Sequence, residues 1–216
     1  STASLWGTVA GRIAGIPTVA SAHAMVVRTC FLLADLIATC SQGVADYLIA
    51  QRVDPRRIRL LYNGVFPEDF EGLTPPEQVR AELGIPPGVP VIGEVAHLSA
   101  RKGQRHLIRA TALLRERWPQ IVCLLVGEGR DHRALTALVA ELGLGDNVRL
   151  LGYRHDAVRV MQVMDVVVLP SVIIEGLGVC LIEAAMLRKP VVGSDAPGVR
   201  EVLADGQTGL LAAVAD

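Results

Sequence analysis

The sequence predicts an α/β protein built on doubly wound parallel sheets, and three observations carry that expectation. From Pro90 onward, short apolar runs alternate with stretches of helical periodicity, the pattern of strand-helix units that assemble into a parallel sheet. The runs are continuously apolar, as in Ile121 to Val126, which suits strands buried on both faces. The chain is 51% apolar with a mean hydropathy of +0.41, yet it lacks the run of about 18 apolar residues that a membrane span needs. Arg28 and Asp35 interrupt one candidate, and Asp165 and Glu175 interrupt another. A buried sheet accounts for the apolar excess instead.

Taken in order, Ala3 to Gly15 reads as a helix closed by Gly15, and Pro17 to Ala22 as a strand ending at His23. Leu36 to Thr39 is a second short strand, and Ser41 is placed to cap a helix running to Gln51, because a serine oxygen can accept from the first free amides. Ile58 to Tyr62 is a third strand, and Asn63-Gly64 turns the chain out of it. Residues 67–89 change character: Pro67, Pro75, Pro76, Pro86 and Pro87 fall there beside the acidic cluster Glu68, Asp69 and Glu71. They read as a linker with one short helix near Gln78 to Leu83. Strands then follow at Val91 to Ala96, Ile121 to Val126, Val148 to Leu151, Val166 to Leu169, Val191 to Ser194 and Leu210 to Ala213. Between them, Gly103 to Trp118 places Leu107, Thr111, Leu114 and Trp118 on one stripe, and Asp131 to Leu142 does likewise with Leu135, Leu138, Val139 and Leu142.

Charge and composition narrow the function. Lys and Arg total 21 against 22 Asp and Glu, and 4% of residues are aromatic, which argues against nucleic acid as a partner. The cysteines, at 30, 40, 123 and 180, form no Cys-x-x-Cys pair; a reduced, cytoplasmic chain is the natural reading. Gly127-Glu-Gly129 lacks the third glycine of a dinucleotide fingerprint. Asp131, Asp165 and Asp195 read as caps and strand ends, and no Asp-x-Asp occurs, so no metal is expected.

The richest segment is Pro170 to Ala185, PSVIIEGLGVCLIEAA, where Glu175 and Glu183 stand eight residues apart. A strand ends at Pro170, and Gly176 and Gly178 lead into a helix carrying Leu181, Ile182 and Ala185. Amides at a helix start can hold an anion. A carboxylate on either side of an anion site suits a ligand with hydroxyls at both ends and a diphosphate between, which is a nucleotide sugar. Alone, Glu183 also reads as an exposed helix residue, and Glu175 as a solvated loop charge or a favourable charge at a helix N-terminus.

This Glu-x₇-Glu segment resembles the signature of retaining glycosyltransferases of the GT-B fold, family four (glycosyl transferases group 1). Other segments resemble family motifs in family order: Ser99-Ala-Arg-Lys-Gly103, Leu125-Val-Gly-Glu-Gly129, Leu151-Gly-Tyr153, Lys189 to Asp195 and Asp205 to Leu211. The resemblance covers about Pro17 to Leu211. It implies two Rossmann-like doubly wound parallel-sheet domains, the first incomplete: 1–66 as the end of an N-terminal acceptor-side domain, 67–89 as linker, and 90–216 as a donor-binding domain truncated at its C-terminus. The chain then reads as a fragment that is inactive alone.

The resemblance also implies roles. Glu175, His23 and Lys102 are the expected catalytic residues. Glu183 is expected to accept hydrogen bonds from the donor ribose, as an acceptor-only carboxylate can from a diol. Gly176, Leu177, Gly178 and Val179 would offer backbone to sugar and phosphate, and Tyr153 and Arg154 would hold the base largely through backbone groups. The family places an arginine five residues before the Lys, facing the diphosphate; here that residue is His97. The implied activity is transfer of a hexose-type sugar from a nucleotide-diphosphate sugar to a sugar or lipid-linked acceptor, without metal or cofactor. Peripheral membrane association of the longer protein is left open. Two alternatives also stay open, a non-catalytic nucleotide-sugar-binding fragment and a sugar-nucleotide epimerase on the same fold.

Overall fold

The structure, a computed structural model, describes residues 2–24, 29–172 and 175–215. Ser1, Arg28, the Ile173-Ile174 pair of the carboxylate motif and Asp216 lie outside them. The chain divides into two compact units. One holds Ser1–Asn63 with Ile174–Leu177 and Pro197–Glu201; the other holds Gly64–Ile173, Gly178–Ala196 and Val202–Asp216.

The first unit contains α1 (Thr2–Ala14), β1 (Val19–Ala22), α2 (Thr29–Leu33), β2 (Leu36–Thr39), α3 (Gln42–Ala50) and β3 (Ile58–Leu60). Its sheet is parallel, in the order β1-β2-β3. Gly15, at φ 67°, closes α1 as its position in the sequence suggested. Ser41 Oγ accepts from Val44 N at 3.1 Å, which caps α3. The Asp35 carboxylate accepts from Thr18 N at 2.7 Å and from Thr18 Oγ1 at 3.0 Å. These bonds tie the approaches to β1 and β2 and hold the Asp35 pKa below its ordinary value. Strand β3 stops at Leu60, short of the expected Tyr62, although Leu61 N still donates to Thr39 O at 2.9 Å. Helix α2 was not foreseen, because five residues are too few to display a period.

The second unit contains α4 (Pro76–Glu82), β4 (Val91–Val95), α5 (Gln104–Arg117), β5 (Val122–Val126), α6 (His132–Glu141), β6 (Val148–Gly152), α7 (Ala157–Met161), β7 (Val166–Leu169), α8 (Val179–Met186), β8 (Val191–Ser194) and β9 (Leu210–Ala212). The short α9 (Pro197–Arg200) groups with the first unit. The six strands are parallel, in the order β6-β5-β4-β7-β8-β9. The chain therefore winds outward from β4 in one direction and then, from β7, in the other. That is the Rossmann pattern, whose ligands lie beyond the strands' C-terminal ends where the order reverses. Strand β5 is buried at every residue. It anchors a core with Leu107 and Ile108 of α5, Leu135 and Leu138 of α6, and Leu144.

Two features differ from the sequence reading. Residues 67–89 fold onto the second unit. Val79, Ile85 and Val89 are buried, the Arg80 guanidinium donates to Val163 O and Val89 O, and Gln162 Nε2 donates to Thr74 O at 2.6 Å. Helix α4 starts at Pro76, since proline fits the first helical position. Trp118 does not complete the buried stripe of α5. It lies past the helix end, 39% exposed, with the Arg117 guanidinium 4.8 Å from its ring centre.

The tightest backbone approach lies at Gly103, between a 3₁₀ turn (Ala100–Lys102) and α5. Its φ of 76° is left-handed, and a Cβ would stand 1.8 Å from Pro170 O. Gly103→Ala is expected to lower unfolding free energy by about 2–4 kcal/mol, the sum of backbone strain and overpacking. Urea denaturation measures it, and an unchanged midpoint would contradict the close approach.

Candidate functional site

The reversal point of the second unit's sheet lies between β4 and β7, which pair directly through Ile92–Val166 and Gly93–Val167. The loop leaving β4 carries His97 and Lys102, and the loop leaving β7 begins at Pro170. These loops are joined: Val172 N donates to Arg101 O at 2.9 Å, and Gly103 sits against the Pro170 carbonyl. A second support comes from the Gly-x-Gly turn after β5. A Cβ on Gly127 would stand 2.0 Å from Ala96 O, and one on Gly129 2.0 Å from Leu98 O. Leu98 N donates to Glu128 O at 2.8 Å. The glycines thus let one loop seat under another. His97 is exposed at the top of this stack and Lys102 is half-buried.

Gly178 opens α8 in a left-handed conformation, φ 76° and ψ 48°. A Cβ there would crowd Leu169 and Leu181. The first turn of a helix leaves amides without intrahelical acceptors, and Val179 supplies the first of these in α8. Glu183 lies on the same helix, half-buried. Burial, and secondarily the Asp69 carboxylate, raise its pKa above the ordinary value. After β6, Tyr153 is 70% exposed. Arg154 is committed elsewhere: its Nε and Nη2 each donate to the Asp156 carboxylate at 2.7 Å. This fork raises the Arg154 pKa and lowers that of Asp156. Arg159 joins the same carboxylate at 3.3 Å and also bonds Glu82. The Arg154 side chain is thereby tied to its own turn, and the Tyr153 ring is the exposed side chain beside it.

The remaining predicted residues assemble in the first unit. Glu175 is 7% exposed and accepts from Gly176 N at 3.1 Å. It is not a solvated loop charge, and it occupies one of the amides that the sequence offered to an anion. A Cβ on Gly176 would stand 2.5 Å from His23 O, and one on Gly198 of α9 would stand 2.4 Å from Glu175 O. The loop is thus held between the residue that follows β1 and α9, and Gly176 has a packing reason within the protein. His23 Nε2 lies 2.8 Å from Ser21 Oγ, and Nδ1 lies 3.5 Å from Asn63 Nδ2. The Asn63 amide nitrogen is a donor, so in this long contact Nδ1 is the accepting atom. His23 also borders a cavity of about 570 Å³ lined by Ser4, Thr8, Ser21 and Phe31.

The structure therefore collects His97, Lys102, Gly178, Val179, Glu183, Tyr153 and Arg154 in the second unit, and His23, Glu175, Gly176 and Leu177 in the first. Sequence reasoning passed over four others. Glu201 accepts from Gln42 N and Gly43 N at 2.7 Å each, closing the start of α3. Cys40 is buried near Gly176 and Glu175, and burial raises its thiol pKa. Glu94 and Gln104 are 1% and 2% exposed beneath the β4–α5 loop. A charged residue inside the apolar run of β4 was the visible signal for Glu94. Among the described residues, no group of three His, Cys, Asp or Glu side chains is placed to hold a metal, and no helix is long and apolar enough to cross a membrane.

With this geometry in place, the sequence profile of Glycosyl transferases group 1 matches residues 76–216. The chain belongs to this family. It is 32% identical over 176 residues to EpsD of Bacillus subtilis, covering 79% of this chain and 46% of that protein. It is 34% identical over 191 residues to the D-inositol 3-phosphate glycosyltransferase of Stackebrandtia nassauensis, covering 82% and 42%. The chain thus spans about half the length of these relatives. Its fold is similar to that of HepE from Anabaena in complex with UDP-glucose, with a TM-score of 0.90 at 27% identity, over 100% of this chain and 63% of HepE. Both parallel-sheet units are therefore of the GT-B type.

Glu183 yields a pH signature. Its folded pKa is raised, so the folded state holds a proton more tightly than the unfolded chain does. Its ionisation then opposes folding at neutral pH, and that penalty disappears as pH falls from the raised value through the ordinary one. Glu183→Gln is expected to be more stable than the parent at pH 7, with the gap closing towards pH 4. Thermal unfolding across pH tests this, and a gap that widens in acid would contradict it.

Proposed function

We propose that this chain is the donor-binding part of a retaining glycosyltransferase that moves a hexose-type sugar from a nucleotide-diphosphate sugar to an acceptor hydroxyl. The observation that carries the reading is the braced loop pair at the β4/β7 reversal point, with Lys102 on one side and the start of α8 with Glu183 on the other. The family match supports it, as do the solved complexes of HepE with UDP and with UDP-glucose. The acceptor, a sugar or a lipid-linked one, and any membrane association belong to the same proposal.

In this reading, Lys102 and the first amides of α8 meet the diphosphate and stabilise its growing charge as the sugar leaves. The ammonium and the helix start supply that positive field, so no metal is required. Glu183 accepts from the ribose hydroxyls, and its raised pKa fits a carboxylate kept for a ligand despite a cost to the fold. Tyr153 and the backbone at Arg154 face the base. For Glu175, Gly176, Leu177 and His23 a role at the transferred sugar is proposed from the family resemblance. The acceptor hydroxyl attacks the anomeric carbon on the face from which the diphosphate departs, so configuration is retained. A second reading follows from the chain spanning about half of its relatives: on its own it binds the donor without completing transfer.

Three outcomes test the proposal. UDP is expected to bind without added metal, as calorimetry in EDTA reads directly; binding that appears only with Mg²⁺ or Mn²⁺ would contradict it. Glu183→Ala is expected to weaken UDP-sugar binding by about 1–3 kcal/mol, the cost of unpaired hydroxyls, with the fold retained. Unchanged affinity would refute the ribose assignment. His97→Arg is expected to tighten UDP more than uridine, because guanidinium adds fixed charge and several donors, and the gain should shrink as salt rises. Equal UDP affinities of parent and variant at low salt would show that residue 97 does not face the phosphates.

A further inference from the structure

Glu94 is the one carboxylate inside β4, a strand otherwise made of Val91, Ile92, Gly93 and Val95. It is 1% exposed, between Leu125 of β5 on one side and the β7 pairing on the other. Gln104, the first residue of α5, is 2% exposed. Its amide nitrogen donates twice: to Glu94 Oε1 at 3.3 Å and to His97 O at 3.2 Å. A side-chain amide has two N–H groups, so both are used. One reaches down into the sheet and the other reaches up to the loop.

Stability alone does not explain this arrangement. Burying a carboxylate in an apolar core is seldom favourable compared with an apolar pair of similar volume. What the pair does accomplish is mechanical. The loop from Ala96 to Gly103 is fixed at its far end by Gly103 against Pro170 and from below by Gly127 and Gly129. Gln104 adds a polar tie at the carbonyl of His97 itself. Moving the Gln104 amide would leave its buried N–H groups without acceptors, and that cost favours the observed conformation.

We infer that Glu94 and Gln104 are positioning residues: the carboxylate orients the Gln104 amide, and that amide holds the His97–Lys102 loop in its diphosphate-binding shape. This rests on the diphosphate reading above. The Gln104 amide thus has two partners, and exchanging the two residues keeps one and loses the other. In Glu94→Gln/Gln104→Glu, residue 94 becomes the donor and residue 104 the acceptor. The core pair survives, but a glutamate at 104 cannot donate to His97 O.

The experiment uses UDP and uridine as probes on the intact chain, with urea denaturation and amide hydrogen exchange as controls. Gln104→Leu and the exchanged pair are each expected to weaken UDP about tenfold, the worth of one buried hydrogen bond, while uridine binding stays as in the parent. Exchange of the 97–103 amides should rise in both variants. Glu94→Gln keeps an acceptor for Gln104 and should restore parental UDP affinity and exchange. Parental UDP affinity in the exchanged pair, beside a parental protein that binds UDP, would overturn the inference. So would unchanged amide exchange at 97–103, which decides the bracing even where the parental chain fails to bind UDP and the diphosphate reading falls.

Discussion

The structure around the candidate site depends on one steric constraint, the seating of the Gly103 α-carbon against the Pro170 carbonyl. A Cβ would stand 1.8 Å from that oxygen, closer than any side-chain carbon can approach. The contact locks the turn after β4 to the loop after β7, at the place where the sheet's winding reverses. Gly127 and Gly129 repeat the device one strand away, beneath Ala96 and Leu98. Three bare α-carbons thus let three loops stack in layers that side chains would hold apart. His97, exposed, and Lys102, half-buried, lie on the loop that this stack holds in place.

Around this stack the chain retains charged groups that a fold optimised for stability would replace. Glu94 lies within the sheet, and Glu183 has its pKa raised by burial and by Asp69. Both lie near the loops at the C-terminal strand ends, where ligands of this fold gather. Carboxylates held against their solvation preference mark functional sites more often than chance. In the first unit Glu175 fits the same description, 7% exposed and bonded to its neighbour's amide. Glu201 differs, since it neutralises the start of α3 through two short amide bonds and so has a sufficient structural task.

Much of this was legible in the sequence, for identifiable reasons. Strands β2, β7 and β8 have the predicted bounds because each is a short, largely apolar run beside aspartate or proline: Asp35 before β2, Asp165 and Pro170 around β7, and Pro190 and Asp195 around β8. The caps at Gly15 and Ser41 were readable because only particular residues fill those positions. The short helices α2, α7 and α9 were not, since four or five residues show no period. Trp118 was misplaced because helical spacing continues in sequence past the point where the helix ends. The 67–89 segment looked like a linker from its prolines, while its burial depends on Val79, Ile85 and Val89 finding partners far along the chain. The motif glycines were legible as glycines, but the neighbours that require them, Pro170, Ala96, Leu98 and His23, appear only in three dimensions. Gln104 was silent because an amide shows its purpose only through its two acceptors.

The most direct test of the central claim, that the braced loops of the second unit receive a nucleotide diphosphate, is a backbone amide NMR titration of the chain with UDP. The account predicts that shift changes concentrate at residues 97–103 and 178–183 and near Tyr153, with the sheet interior unchanged. Shift changes that cluster elsewhere, or saturation that leaves 97–103 and 178–183 unmoved, would contradict it.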